Sequence, residues 1–281
     1  MIRAATLALS LIAALPAAAQ EKPDGIVAIG GSVTEIIYAL GASDRLIARD
    51  TTSSYPPEVT ALPDVGYMRA LSPEGVLSVD PALIIAEEGA GPIETINVLE
   101  DANIPFVTVP DAYSASGVSA KIIAVGDAIG EKANAKELAD TLRRELDKIT
   151  RASVQSKEGT PKRVLFILST QGGRIMASGT GTAAAAMIEM AGGENAVSAF
   201  EGYKPLTDEA VIAAAPDAIL MMEREGDHDS TVVDLLQMPV IASTPAVKTR
   251  AVIRMDGLYL LGFGPRTALA VADLNRALYG S

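Results

Sequence analysis

The sequence predicts an α/β protein: two Rossmann-like α/β lobes joined by a single long α-helix, with a ligand held in the cleft between the lobes. Three observations carry this expectation. Short β-rich apolar runs alternate with helical patterns in both halves, one long amphipathic segment without Gly or Pro divides the halves, and a stretch of the first half recurs in the second.

Taken in order, residues 1–19 hold one cation, Arg3, then an apolar run that ends in Ala17, Ala18 and Ala19. This is the pattern of a cleaved secretory signal. The remainder, about 260 residues, suffices for two lobes that each bury a core. We assign residues 20–132 to the first lobe, 133–156 to the connecting helix and 157–281 to the second lobe.

In the first lobe the runs IVAI (Ile26 to Ile29), LII (Leu83 to Ile85) and FVTV (Phe106 to Val109) read as buried parallel strands. VTEIIYAL (Val33 to Leu40) reads as a helix that stops at Gly41. Ala133 to Val154 places Leu138, Leu142, Leu146 and Ile149 at helical spacing, which predicts one helix of roughly 30 Å. A single rigid connection implies limited opening of the cleft. The second lobe repeats the alternation with VLFIL (Val164 to Leu168), the helix AAAAMIEMA (Ala183 to Ala191) and AILMM (Ala218 to Met222).

The repeat is the most informative feature. GYMRALSPEGVLSVDPALII (Gly66 to Ile85) aligns with GYKPLTDEAVIAAAPDAIL (Gly202 to Leu220), matching Gly-Tyr with Gly-Tyr, Ser72 with Thr207, Glu74 with Glu209 and Pro81 with Pro216. Each copy reads as a loop, a Ser- or Thr-capped helix, a turn and a buried strand. Equivalent loops of two lobes face each other, so Tyr67 and Tyr203 are expected on opposite walls of the cleft.

Composition narrows the chemistry. A net charge of −12 repels nucleic acid and anionic membrane surfaces, and the absence of cysteine removes disulfides, thiol catalysis, thiolate metal sites and a lipid-anchoring residue. The single histidine, His228, sits in GDHDS and reads as solvated surface, with no ligand or triad spacing around it. Gly30-Gly31-Ser32 fits a tight strand-to-helix turn or an anion cradle, but lacks both the dinucleotide fingerprint and the P-loop lysine. A serine hydrolase built on Ser32 or Ser169 has no histidine nearby to activate it. The chain is therefore expected to bind rather than to catalyse.

Tyr67 stands out for its company: Gly66 before it, Arg69 two residues on, and the cap residue Ser72. A phenolate is an anionic oxygen donor suited to ferric iron, and a nearby cation favours the ionised form. Arg224, at the end of the strand Ala218 to Met222, is expected at the same cleft from the other lobe. On residue chemistry alone, Tyr67 as packing over a loop, with both arginines in surface pairs, is the better fit.

The stretches GGSVTEIIYALGA, RDTTSSYP, LPDVGYMRALSPEGVLSVDPALIIA, EGYKPLTDEAV and LLGFGPRTA resemble the haem-transporting periplasmic binding proteins of ABC importers, over essentially the whole mature chain. The resemblance implies a periplasmic, monomeric carrier that takes haem to an ABC permease dimer. It implies that Tyr67 is the axial ligand of haem iron, that Arg69 matches an arginine near that tyrosine or the propionates, and that Arg224 matches by position only. Lys204, beside Tyr203, is a further candidate for a propionate, or a solvated lysine. A ferric siderophore or cobalamin carrier of the same architecture is the alternative.

One position departs from the family. Some members carry a histidine in an SHGG turn that can bind iron, whereas this turn reads Ser169-Thr170-Gln171-Gly172-Gly173. Gln171 is a hydrogen-bond donor and a weak iron ligand, so one five-coordinate, Tyr-bound haem is expected. Glu74 and Glu209, each in the first turn of a capped helix, complement the helix dipole by roughly 0.3–1 kcal/mol. In the wider binding-protein class such glutamates dock onto permease arginines, and matched placement in both lobes favours that role.

Overall fold

The computed structural model describes residues 24–156, 159–223 and 232–280. The expected signal segment, Arg224 and His228 lie outside the described residues.

The first lobe runs β1 (Ile26–Ile29), α1 (Gly31–Ala39), β2 (Leu46–Arg49), α2 (Pro73–Leu77), β3 (Leu83–Glu87), α3 (Ile93–Glu100), β4 (Phe106–Val109) and α4 (Ala115–Ala128). All pairings are parallel, in the order β2-β1-β3-β4. Strands β1 and β3 are wholly buried because both of their faces are covered, which is why they read as unbroken apolar runs rather than alternating ones.

Helix α5 (Lys132–Ser156) follows as one continuous segment. Ala135, Ala139 and Leu146 form its buried stripe, flanked by the half-buried Leu138, Leu142 and Ile149, and it packs against α4 of the first lobe.

The second lobe runs β5 (Arg163–Ser169), β6 (Met176–Ser178), α6 (Ala183–Met190), β7 (Glu194–Asn195), β8 (Tyr203–Pro205), α7 (Asp208–Ala214), β9 (Ala218–Glu223), α8 (Val232–Gln237), α9 (Pro239–Ala242), α10 (Pro245–Thr249), β10 (Val252–Asp256), α11 (Gly257–Leu261) and α12 (Thr267–Tyr279). The strand order is β10-β9-β5-β6-β8, with β7 pairing β5. Helix α12 also packs on α5, so the connecting helix is held by both lobes.

This second sheet differs from the all-parallel expectation. Strand β6 is antiparallel to β5, and β8 is antiparallel to β6. The parallel part, β5-β9-β10, corresponds to β1-β3-β4 of the first lobe, and the extra antiparallel strands extend its edge.

Three apolar clusters result. Two lie on the outer faces of the sheets, one per lobe. The third is shared, running from Ile26, Ile36 and Ile122 through Leu146 to Phe166, Leu260 and Phe263. A core common to both lobes resists their separation, because opening exposes apolar area at about 25 cal/mol per Å².

Candidate functional site

Both copies of the repeat begin with a glycine in the left-handed region, Gly66 at φ 103° and Gly202 at φ 80°. Each then reaches a hydroxyl cap. Ser72 Oγ accepts the Gly75 amide at 3.0 Å to start α2, and Thr207 Oγ1 accepts the Ala210 amide at 3.2 Å to start α7. The strands that follow, β3 and β9, occupy equivalent places beside β1 and β5.

The two tyrosines nonetheless do different work. Tyr203 lies in β8, registered against Ser178 of β6, and is drawn inward. Its ring meets Phe166 edge-on at 6.1 Å. Burial raises the Tyr203 pKa, opposed by the polar groups of Thr182 and Ala184 at the start of α6 and by the charge of Arg69. Tyr67 follows Gly66 in a turn with no strand to draw it in. Its side chain is 46% exposed, and among the described residues its hydroxyl has no hydrogen-bond partner.

Arg69 is exposed and forms no ion pair among the described residues. Its field reaches Tyr203 of the second lobe and Tyr113 of the first. Arg69 thus lies within electrostatic range of a tyrosine from each lobe.

Tyr113 precedes α4 and packs on the core shared by the two lobes. Its ring lies 5.2 Å from that of Phe263, which comes from the other lobe. Burial pushes the Tyr113 pKa up to about 12, aided by the nearby Asp111 carboxylate. Asp111 is tied in turn to Lys121, whose ammonium is fully buried. Lys121 donates to Glu87, to Asp111 Oδ1 at 2.7 Å, to Ser32 Oγ at 3.1 Å and to the Gly262 carbonyl of the second lobe at 3.2 Å. Burial raises the Glu87 pKa beyond what the Lys121 charge restores. No sequence pattern marks this lysine, because a lone Lys in a helix ordinarily reads as surface.

A second link joins the lobes. Arg266, just before α12, donates from Nε to Glu35 Oε2 of α1 at 3.0 Å and stacks 3.6 Å over the Tyr55 ring. The close approach explains Gly31: a β-carbon there would lie 2.4 Å from Leu258 of α11.

The Gly30-Gly31-Ser32 turn is not an open anion cradle. The Gly30 amide donates to Asp50 Oδ1 at 3.0 Å and the Gly31 amide to Thr52 Oγ1 at 3.1 Å. Ser32 is fully buried and donates to Glu87 at 2.7 Å, beyond the reach of a substrate.

The remaining expected site residues are exposed. Gln171 begins the turn after β5, at the cleft end of the central strand. Lys204 alternates with Tyr203 along β8 and so points to the opposite face, its ammonium 5.5 Å from the Phe200 ring centroid. Glu74 and Glu209 lie exposed in the first turns of α2 and α7. Among the described residues, no cluster of His, Asp or Glu could hold a metal ion, and no helix is long and apolar enough to cross a membrane.

The model of the periplasmic binding protein family matches residues 26–258. Among solved structures, the periplasmic heme-binding protein BhuT in complex with two hemes is 38% identical at a TM-score of 0.85, covering 90% of this chain and 97% of that one. The uncharacterized ABC transporter substrate-binding lipoprotein YvrC of Bacillus subtilis is 30% identical over 92% of this chain and 81% of its own length. The vitamin B12-binding protein of Pectobacterium atrosepticum is 25% identical over 73% of each chain.

Proposed function

Because the chain belongs to the periplasmic binding protein family, we propose that it captures haem in the inter-lobe cleft and delivers it to an ABC permease, with Tyr67 as the iron ligand. One observation carries this reading. Of the three tyrosines grouped with Arg69, Tyr113 packs against Phe263 and Tyr203 against Phe166, while Tyr67 is 46% exposed and its hydroxyl has no hydrogen-bond partner among the described residues. A phenol left free beside an unpaired guanidinium is suited to ligate ferric iron, and tyrosine serves as an axial haem ligand elsewhere. The likeness to a heme-binding structure at 38% identity supports the same choice of cargo.

In this account the porphyrin lies between the lobes, over Tyr113. Tyr67 holds the iron from one side and Arg69 meets a propionate, for which its planar fork is well matched. Gln171, a poor iron ligand, leaves the sixth position open, and we propose one haem per chain. Glu74 and Glu209, one per lobe, meet basic residues of the two permease subunits. The chain is exported to the periplasm by its first residues and acts as a monomer.

The alternative is a cobalamin or ferric siderophore carrier, favoured by the similarity to a vitamin B12-binding protein. A siderophore already fills the coordination sphere of its iron and has no use for a free phenol. Titration with ferric haem, cyanocobalamin and a ferric siderophore decides between them. The expected result is a saturable Soret band with one equivalent of haem and phenolate charge-transfer features that vanish in Tyr67→Ala. Tight cobalamin or siderophore binding that ignores Tyr67, without a haem complex, contradicts it. Saturation at two equivalents would overturn the single-haem stoichiometry alone.

A further inference from the structure

We propose that Asp64 is the positioning residue for the Tyr67 phenol, an inference that rests on the haem reading above and deepens it. The Gly66 peptide, immediately before Tyr67, is clamped at both ends. Its amide donates to Asp64 Oδ1 at 2.8 Å, and its carbonyl accepts the Thr51 amide at 3.0 Å. The same Asp64 oxygen accepts Thr51 Oγ1 at 3.1 Å, while Oδ2 accepts Arg49 Nη1 at 2.8 Å. Arg49 is itself fixed, its amide bonded to the Pro63 carbonyl at 3.0 Å and its carbonyl to the Val65 amide at 2.9 Å. One carboxylate thus ties the end of β2 to the residue that launches Tyr67.

The other flank is held as firmly. Met68 is buried and its carbonyl accepts the Gly91 amide at 2.8 Å, while the Leu71 amide donates to the Gly91 carbonyl at 2.9 Å. The main chain of Tyr67 is therefore fixed on both sides, and its side chain is left free. Gly66 adopts φ 103°, and a β-carbon there would meet nothing within 4 Å, so glycine is required by the backbone conformation that Asp64 holds rather than by space.

A ligand atom must be held within about 0.5 Å of its working position. Tyr67 has few rotatable bonds, so an error at its α-carbon passes directly to the phenol oxygen. Outer partners of metal ligands act in this way, and their loss costs roughly ten- to a hundredfold in affinity. The Asp64 side chain is 36% exposed but that of Arg49 only 13%, so removing the carboxylate also costs stability by stranding a largely buried guanidinium. Placement of the phenol is the separate contribution that the haem spectrum reads.

The test compares Asp64→Ala, Asp64→Asn, Gly66→Ala and Tyr67→Ala in the full chain. The readouts are the ferric haem spectrum, the rate of haem transfer to an excess of apo-myoglobin, and the Tm of the haem-free protein. Asp64→Ala is expected to release haem roughly ten- to a hundredfold faster, with altered phenolate charge-transfer bands, while the Tm reports separately the loss of the Arg49 pair. Asp64→Asn keeps an acceptor oxygen for Gly66 and is expected to retain most of the parent behaviour. Gly66→Ala strains the same peptide without a clash and should reproduce the Asp64→Ala spectrum, which keeps the test decisive if Asp64→Ala does not fold. If Tyr67→Ala loses the bands while folded Asp64→Ala, or failing that Gly66→Ala, keeps the parent spectrum and rate, the positioning role is wrong and the haem reading stands. If Tyr67→Ala itself keeps the bands, the ligand assignment fails first, and the positioning role falls with it.

Discussion

Arg266 and Glu35 form a two-point contact between the lobes, with Nε donating to Oε2 at 3.0 Å and Nη2 to Oε1 at 2.5 Å. The Glu35 side chain is 4% exposed and that of Arg266 21%. Burial raises the Glu35 pKa, and the hydrogen bond and charge of Arg266 recover only part of it. Removing the cation alone strands a buried carboxylate. Arg266→Met is expected to cost about 3 kcal/mol, and Arg266→Met with Glu35→Gln distinctly less. Urea unfolding of the three proteins checks this, and a single variant as stable as the parent contradicts it.

Lys121 offers a sharper case, since its ammonium is fully buried and bonds Glu87, Asp111, Ser32 and the opposite lobe. Lys121→Met should destabilise the chain by about 3–5 kcal/mol, because two carboxylates lose their shared counter-charge. Thermal unfolding measures the loss, and a Tm within a degree or two of the parent's would refute the assigned role.

Tyr113 gives the cleft a signature in alkali. Its phenol is pushed from its ordinary value of 10.0 to about 12 by burial and by Asp111. The folded chain holds this proton more tightly than the unfolded chain, so the contribution is complete below pH 10 and is lost as pH rises from about 10 to about 12. The stability of the parent should fall relative to Tyr113→Phe across that window. Parallel curves for the two proteins would show that the phenol is not held by its surroundings.

Glu74 and Glu209 are exposed, one on each lobe. Reversing both to Lys is expected to abolish haem uptake by permease-containing vesicles while leaving haem affinity of the isolated protein intact, since neither carboxylate touches the cleft tyrosines. Unchanged uptake removes the docking role. Lost affinity would instead place these groups in the cargo site.

Much of the fold was legible because buried parallel strands and a long amphipathic helix leave periodic traces. Ile26–Ile29 and Phe106–Val109 are strands at the expected bounds, and the helix read from Ala133 to Val154 extends over Lys132–Ser156. Strand β2 escaped because LIAR alternates at a sheet edge and lacks an apolar run. The antiparallel strands β6 and β8 escaped because each is only three residues long. The repeat revealed the pairing of Tyr67 with Tyr203 but not their divergence, since the register of Ser178 with Tyr203 is a tertiary fact that the repeat itself does not carry. Lys121 and Arg266 were invisible for the same reason, since Glu87 and Glu35 lie far from them in the chain and only folding brings the charges together. Asp64 bonds near neighbours, Gly66, Thr51 and Arg49, but an aspartate in a loop carries no pattern that names the groups it will bond.

The most direct test of the account is a crystal structure of the haem-loaded protein. It should show the porphyrin between the lobes with the Tyr67 oxygen bonded to iron, Arg69 on a propionate, and the Tyr113 and Tyr203 rings still packed on Phe263 and Phe166. Iron ligated by another residue, or Tyr67 turned away from the metal, would contradict it.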